Sequence, residues 1–418
     1  MYKWIALGVM GVVFVFETFI HFLDTKVRPV PENVKDIYDE EDYKKWQEYD
    51  KECKRLSLQQ HLMSYIASFL LIGLDGYALI VKLLGATNVY VSAIVVLLAD
   101  TVISTVLTAP MAYVRNMGIE QKYGFNKMTV KTFFADLVKE FVISTVLLCG
   151  LICIMAAVHM ALGSWVVIVL AGVILVFVTA MTFLQPVFTR IFNKLTPLEE
   201  GSLRTRLTEL LEKNNCSVRQ ISVTDGSKRS TKANAYFGGF GKMKTIVLYD
   251  TLLEQMTEDE IVAIFAHEMG HNKHKDTLKL LGLNIINILL IAFSLWAVVS
   301  ISEIYTDFGF DGINYGFAFV LAGSVCLSFI SPFLGLFISA LSRKFEYAAD
   351  KFAVDNGCGP ELISGLKKLV KNSFGTLSPH PVVVALTYSH PPISQRLAAM
   401  EKRIESQKEE GKLSFASK

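Results

Sequence analysis

The chain has 418 residues, of which 52% are hydrophobic and only 19% charged, and its mean hydropathy is +0.41. Those values exclude a disordered, collagen-like or disulfide-scaffold protein and point to a bilayer. Forty-one lysines and arginines against 39 acidic residues leave a formal net charge of +2, so no global basic surplus argues for a nucleic-acid partner. The six cysteines (Cys53, Cys149, Cys153, Cys216, Cys326, Cys358) include no Cys-x-x-Cys pair, and Cys149 and Cys153 lie in an apolar run. That pattern speaks for reduced, cytosol-facing chemistry rather than a disulfide framework.

In chain order, about seven segments are long and apolar enough to span a membrane: Trp4–Leu23, Met63–Leu84, Val89–Pro110, Phe141–Leu162, Trp165–Phe188, Leu278–Val299 and Ile313–Leu341. The first could pass for a signal peptide. Glu17 and His21 break its second half, however, and no small-residue cleavage site follows, so it reads as a retained span. Loop charge sets the orientation. Residues 24–61 carry eight lysines and arginines and 111–140 carry five, while the alternate loops hold Lys82 and nothing more. The N-terminus is therefore expected to face away from the cytosol and the C-terminus toward it. Glu17, His21, Asp75, Asp100 and His159 sit in or at the ends of the apolar runs, where they either line an aqueous interior or reach the headgroups.

Four regions follow: membrane helices over 1–188, a cytosolic segment over 189–277, two further membrane helices over 278–341, and a cytosolic segment over 342–418. The first cytosolic segment reads as a small α/β unit, with a helix over Leu203–Glu212, strands at Arg219–Val223 and Thr245–Tyr249, and turns at Asp225–Gly226 and Gly238–Gly239. The tail from Gln407 is short, polar and expected to be mobile.

The chemistry begins at His267-Glu268-Met269-Gly270-His271. On a helix, residues four apart share a face, so the two histidines can hold one tetrahedral metal while Glu268 points at the water bound to it. Thr257 and Glu260 form a capping-box pattern, and Ile261, Val262, Ile264 and Phe265 supply an apolar side. Such a site needs a third ligand. Downstream, Glu346 and Asp350 stand four apart in Arg343–Asp350. Glu346 is the natural third ligand, and Asp350 can accept the outer N–H of a ligating histidine; otherwise the segment is a charged face emerging from the membrane. His274 is a rival ligand but points about 60° away from His271 at ~100° per residue, and it is left as a surface histidine.

The HEMGH motif, the downstream EYAAD, Asn234-Ala235-Tyr236-Phe237 and Ile119–Thr132 (IEQKYGFNKMTVKT) together resemble the type I CAAX prenyl endoproteases, integral-membrane zinc metalloproteases. The resemblance runs from the first span to Ser394-Gln395-Arg396-Leu397. It implies an all-α polytopic membrane fold of seven long helices around a large chamber, with a small cytosolic α/β zinc-protease portion. It implies one zinc ion per chain, held by His267, His271 and Glu346, with Glu268 as general base. It further implies that Asn234 binds extended substrate backbone, that His390 in Tyr-Ser-His-Pro-Pro stabilises the oxyanion, and that Arg396 contacts substrate.

The expected substrate is a prenylated CaaX protein, which loses its last three residues; a second, upstream cleavage is left open. Membrane lipid is the other expected partner. The endoplasmic reticulum or inner nuclear membrane is the expected location, with the active site toward the cytosol. A membrane zinc protease of broader quality-control role is the alternative. A zinc transporter fits less well, because the ligands gather at a membrane face and the chain has only eight histidines.

Overall fold

The computed structural model describes residues 1–216, 218–238, 245–409 and 411. Helices α1 (Tyr2–Asp24), α2 (Glu40–Gly73), α3 (Gly76–Leu83), α4 (Val89–Tyr113), α5 (Val130–Leu162) and α6 (Val166–Phe192) come first. A mixed segment follows: β1 (Leu195–Pro197), α7 (Ser202–Lys213), β2 (Gln220–Thr224), β3 (Ala235–Gly238), β4 (Thr245–Tyr249), α8 (Asp250–Gln255) and α9 (Glu258–Lys273). The rest is helical: α10 (Asp276–Val299), α11 (Ser302–Asp307), α12 (Tyr315–Leu321), α13 (Ser328–Asp355), α14 (Gly359–Ser373), α15 (Pro381–Thr387) and α16 (Ile393–Glu409).

Among the described residues, five helical runs are long and apolar enough to cross a bilayer, or six if the bent pair α2–α3 is one span. The expected span Met63–Leu84 is that pair, bent by 65° where Asp75 adopts a left-handed conformation (φ 58°). The run Val130–Met181 is 52 residues long; drawn straight it would measure about 78 Å, more than twice the hydrocarbon thickness. It turns back at Gly163 (φ 55°), and its arms α5 and α6 pack on each other. The expected spans Phe141–Leu162 and Trp165–Phe188 are those two arms, the side chains at the end of the second lying outside the described residues. The last span is longer than the sequence suggests: the run Tyr315–Asp355 continues unbroken into the segment that carries Glu346.

The outer faces of these helices are apolar and bare. Val15 is 67% exposed, Val106 65%, Val146 65% and Phe333 67%, a belt that only lipid would cover. The polar groups inside the runs pair across helices instead. Tyr77 donates to Asp100 at 2.6 Å, His159 Nδ1 meets the Tyr315 hydroxyl at 2.8 Å, Lys3 bridges to Asp75 at 2.6 Å, and His61 lies 3.6 Å from Glu17. Such pairing is what a low-dielectric surrounding demands.

A second core lies beneath the mixed segment, where Trp46, Leu207, Ile246, Leu248, Phe265, Leu362 and Leu397 pack together. The sheet order is β1-β2-β4-β3. β2 and β4 are parallel from Gln220↔Thr245 to Thr224↔Tyr249, and β3 runs antiparallel to β4 from Ala235↔Leu248 to Gly238↔Thr245. β3 stands at one end of that order, β1 at the other, and β3 packs against α9. The expected turn at Gly238–Gly239 lies partly outside the described residues. Gln407 does not begin a loose tail: α16 continues to Glu409, and the Gln407 amide donates to Asp355 at 2.8 Å. Residues 410 and 412–418 lie outside the described residues.

Helix crossings in the bundle are close. A Cβ on Gly316 would overlap the backbone carbonyl of Ala93, so α12 and α4 touch main chain to main chain. Gly316→Val is expected to cost about 1–3 kcal/mol by overpacking and to lower the thermal midpoint in detergent. An unchanged midpoint would mean that the helices do not meet there.

Candidate metal centre

The helix that carries the HExxH motif is built as its sequence requires. The Thr257 hydroxyl accepts the Glu260 N–H at 3.3 Å and the Glu260 carboxylate accepts the Thr257 N–H at 2.9 Å, a reciprocal cap that fixes where α9 starts. Glu260 also accepts from Ser364 and Lys368 of α14, each at 2.7 Å. Ile261, Val262, Ile264 and Phe265 are buried in the second core. α9 then crosses α13 at Gly270, where an added Cβ would stand 2.9 Å from the Ala349 Cα. No larger residue allows that approach, and it brings Glu346 of α13 to the histidines of α9.

The three donors converge. His267 Nε2 and His271 Nε2 are 3.2 Å apart, His267 Nε2 lies 3.5 Å from one Glu346 oxygen, and His271 Nε2 lies 3.3 Å from the other. A tetrahedral ion with bonds of about 2.0–2.1 Å puts its ligand atoms about 3.3 Å from each other. The spacing therefore fits such an ion, and Glu346 Oε2 is buried without a hydrogen-bond partner. Among the described residues these three form the one group of histidine, cysteine or carboxylate donors close enough to share a metal.

Each histidine is held from behind by a carboxylate, which leaves Nε2 free to ligate. His267 Nδ1 lies 2.9 Å from Asp350, and His271 Nδ1 lies 3.1 Å from Asp276. Asp350 is also bound by Arg396 through two bonds of 2.8 and 2.6 Å, and Asp276 by Lys279 at 3.1 Å. Asp276 is a residue of the candidate centre that sequence reasoning missed. Its signal was a lone carboxylate five positions past His271, at the start of α10.

Electrostatics follow from this packing. Burial opposes a charge on His267, but the Asp350 carboxylate at its Nδ1 and the Glu346 carboxylate near its Nε2 outweigh it and push its pKa up to about 9. Burial raises the Glu268 carboxyl, against the pull of the two histidines. Burial also works against the Arg396 charge, yet Asp350 beside it raises its pKa further.

Of the remaining predicted residues, His390 is 65% exposed and its Nδ1 lies 2.9 Å from Glu346, so the loop Tyr388–Pro392 reaches the centre. Arg396 is buried and spends its guanidinium on Asp350, with a nitrogen 3.4 Å from Glu346. Asn234 is exposed at the head of β3; its side-chain oxygen accepts the Ala235 N–H at 2.8 Å, and no described bond ties it to the donors. His390 and Arg396 share a cavity of about 620 Å³ with Ala233, Leu366, Leu369 and Ile393 among others. His274 stands apart from the donors, its ring edge-on to Phe352 at 6.1 Å.

Comparison with known proteins supplies the family. Residues 197–404 match peptidase family M48, and residues 5–194 match the CAAX prenyl protease N-terminal unit of five membrane helices. A rice protein named CAAX prenyl protease 1 homolog is 32% identical over 322 residues, covering 76% of this chain and 75% of its own. The chain belongs to the CAAX prenyl protease family of M48 peptidases. An Arabidopsis thaliana homolog of the same name is 28% identical over 95% of this chain and 96% of its own. The human homolog is 27% identical over 93% of each. The crystal structure of S. mikatae Ste24p has the same fold, with a TM-score of 0.89 at 24% identity, over 96% of this chain and 99% of that one. This CAAX prenyl protease family member is thus a multi-pass membrane metalloprotease. The five N-terminal helices of the family correspond to α1, the bent pair α2–α3, α4, α5 and α6, and two apolar runs follow them.

Asp350→Asn and Asp276→Asn are each expected to weaken metal affinity about 10–100-fold, read by competition with a chromophoric chelator. Equal affinity in either variant would remove that carboxylate from the centre. Because Asp350 and Glu346 hold the His267 pKa above the ordinary imidazole range in the metal-free protein, metal uptake at neutral pH is expected to release a proton. Calorimetry in buffers of different ionisation enthalpy is expected to show that release and a fall in affinity as pH drops.

Proposed function

We propose that this chain is a zinc endopeptidase, with one zinc ion per chain, that removes the C-terminal tripeptide from prenylated CaaX proteins. The observation that carries the reading is the donor set of His267, His271 and Glu346 at tetrahedral spacing, with Glu268 one step round α9. The name shared by its relatives supplies the substrate class. Bound there, zinc would polarise the scissile carbonyl and lower the pKa of a water to about 7.

The chain's own residues do the rest. Glu268 takes a proton from the attacking water and hands it to the leaving amine. In the metal-free chain, burial raises its carboxyl above the ordinary glutamate range. His390, on a loop stiffened by Pro391 and Pro392, donates to the developing oxyanion. Asn234 and β3, which stands at one end of the sheet order, hold the substrate backbone extended by strand addition. Arg396 holds Asp350, and through it the ring of His267.

The lysine- and arginine-rich loops over 24–61 and 111–140 support a catalytic face toward the cytosol; the proposed location is the endoplasmic reticulum membrane. Glu268→Gln is expected to keep its zinc and to lose cleavage of a farnesylated CaaX peptide by roughly 10²–10⁴-fold, measured by peptide release with metal content assayed in parallel. Full activity in that variant would remove the general base. Equal turnover of farnesylated and unlipidated peptides would replace the prenyl-directed reading with the quality-control one.

A further inference from the structure

The stretch Ile119–Phe125 has no part in the chemistry above, yet it contains a buried carboxylate, Glu120, held by half-buried cations. Glu120 is 8% exposed and stands at the end of a π-helical turn, Val114–Glu120, that continues α4. One of its oxygens accepts from the Tyr49 hydroxyl at 2.7 Å and from Arg115 Nε at 3.1 Å. The other accepts from Lys232 at 2.8 Å. Lys232 also donates to the Tyr49 hydroxyl at 3.0 Å, and its ammonium lies over the rings of Phe125 (4.8 Å) and Tyr49 (5.5 Å). Tyr49 belongs to α2, so two membrane helices and the segment before β3 share one carboxylate.

The rest of that segment is tied to the same loop. The Lys127 N–H donates to the Arg229 carbonyl and the Thr231 N–H to the Phe125 carbonyl, both at 3.0 Å, and Asn126 forms an isolated bridge with Ser230. On its other side, Thr251 donates to the Lys232 carbonyl at 3.1 Å and Gln255 to the Thr231 carbonyl at 2.6 Å. The next two residues matter to the reaction: Ala233 lines the cavity shared with His390 and Arg396, and Asn234 heads the edge strand. No described hydrogen bond or ion pair joins Glu120 or Lys232 to His267, His271 or Glu346.

We infer that Glu120 is a positioning residue for substrate binding. Through Lys232 it sets where Ala233, Asn234 and the start of β3 stand relative to the metal centre, so that the cytosolic ends of α2 and α4 gauge the peptide-binding edge. This inference rests on the proposed endopeptidase reading and adds a role to it. A group that acts on the strand alone alters peptide binding and leaves the metal and the proton transfer in place.

The test uses the full chain in proteoliposomes, with Glu120→Gln, Lys232→Met and the milder Tyr49→Phe, which removes one hydroxyl and serves if the first two fail to fold. The expected result is a KM for the farnesylated CaaX peptide raised about tenfold with kcat within about threefold, unchanged zinc content, and partial recovery in Glu120→Asp. Asn234→Ala is expected to add little on top of Glu120→Gln, because both act on one element. In the same variants, amide hydrogen exchange is expected to speed up over residues 229–238 and to stay unchanged over Glu258–Lys273. An unchanged KM, loss of zinc, or equal acceleration over both regions would overturn the inference. If the unaltered chain cleaves no CaaX peptide, the endopeptidase reading fails, and the exchange comparison alone still decides whether Glu120 holds the strand.

Discussion

The catalytic arrangement depends on one close crossing, that of α9 over α13 at Gly270 and Ala349. Two histidines on one helix are only half a site. The remaining donor comes from a helix that begins inside the apolar bundle, and it reaches them because a residue without a side chain lets the two backbones touch. The crossing also brings Asp350 behind His267 and Arg396 behind Asp350. A shift of one ångström between these helices would open the spacing of the donors and loosen the outer hydrogen bonds together, which couples metal affinity to helix packing.

Charge is distributed to suit that arrangement. Glu346 and Asp350 sit close together in a buried place, where two carboxylates alone would repel each other. Arg396 lies between them, 3.4 Å from the first and 2.6 Å from the second, and so permits both to stay ionised. Asp276 has a similar partner in Lys279. Each imidazole of the candidate centre thus rests on a carboxylate whose own charge is partly answered by a base on the far side, which steadies the ring orientation.

Much of this was legible in the sequence where periodicity carried it. The capped α9, the four-residue spacing of His267 and His271, and the matching spacing of Glu346 and Asp350 are local patterns, and local patterns survive folding. The strands β2 and β4 were legible for the same reason, being β-branched and buried. The bend at Leu74–Asp75 was not, because hydropathy averages over a window and does not register one left-handed residue. Neither was β3, whose four residues include too little alternation to mark a strand and owe their conformation to β4. Asp276 was hidden because a carboxylate five positions from a histidine has no helical phase to recommend it; it reaches His271 only because Lys275 turns the chain with a positive φ. The Glu120 cluster assembles from residues 49, 115, 120 and 232, and no linear pattern could have joined them.

The order of the donors along the chain has a consequence for biogenesis. His271 and Glu346 are 75 positions apart by subtraction, and α10, α11, α12 and the first part of α13 lie between them. A ribosome delivers both imidazoles to the aqueous side well before it has made the carboxylate. The newly made chain can then offer an ion no more than a weak, two-toothed grip, and secure capture has to await insertion and docking of the last two hydrophobic runs. Loading with metal would accordingly report that the bundle is finished, and a chain stalled in the translocation machinery would be an inert protease.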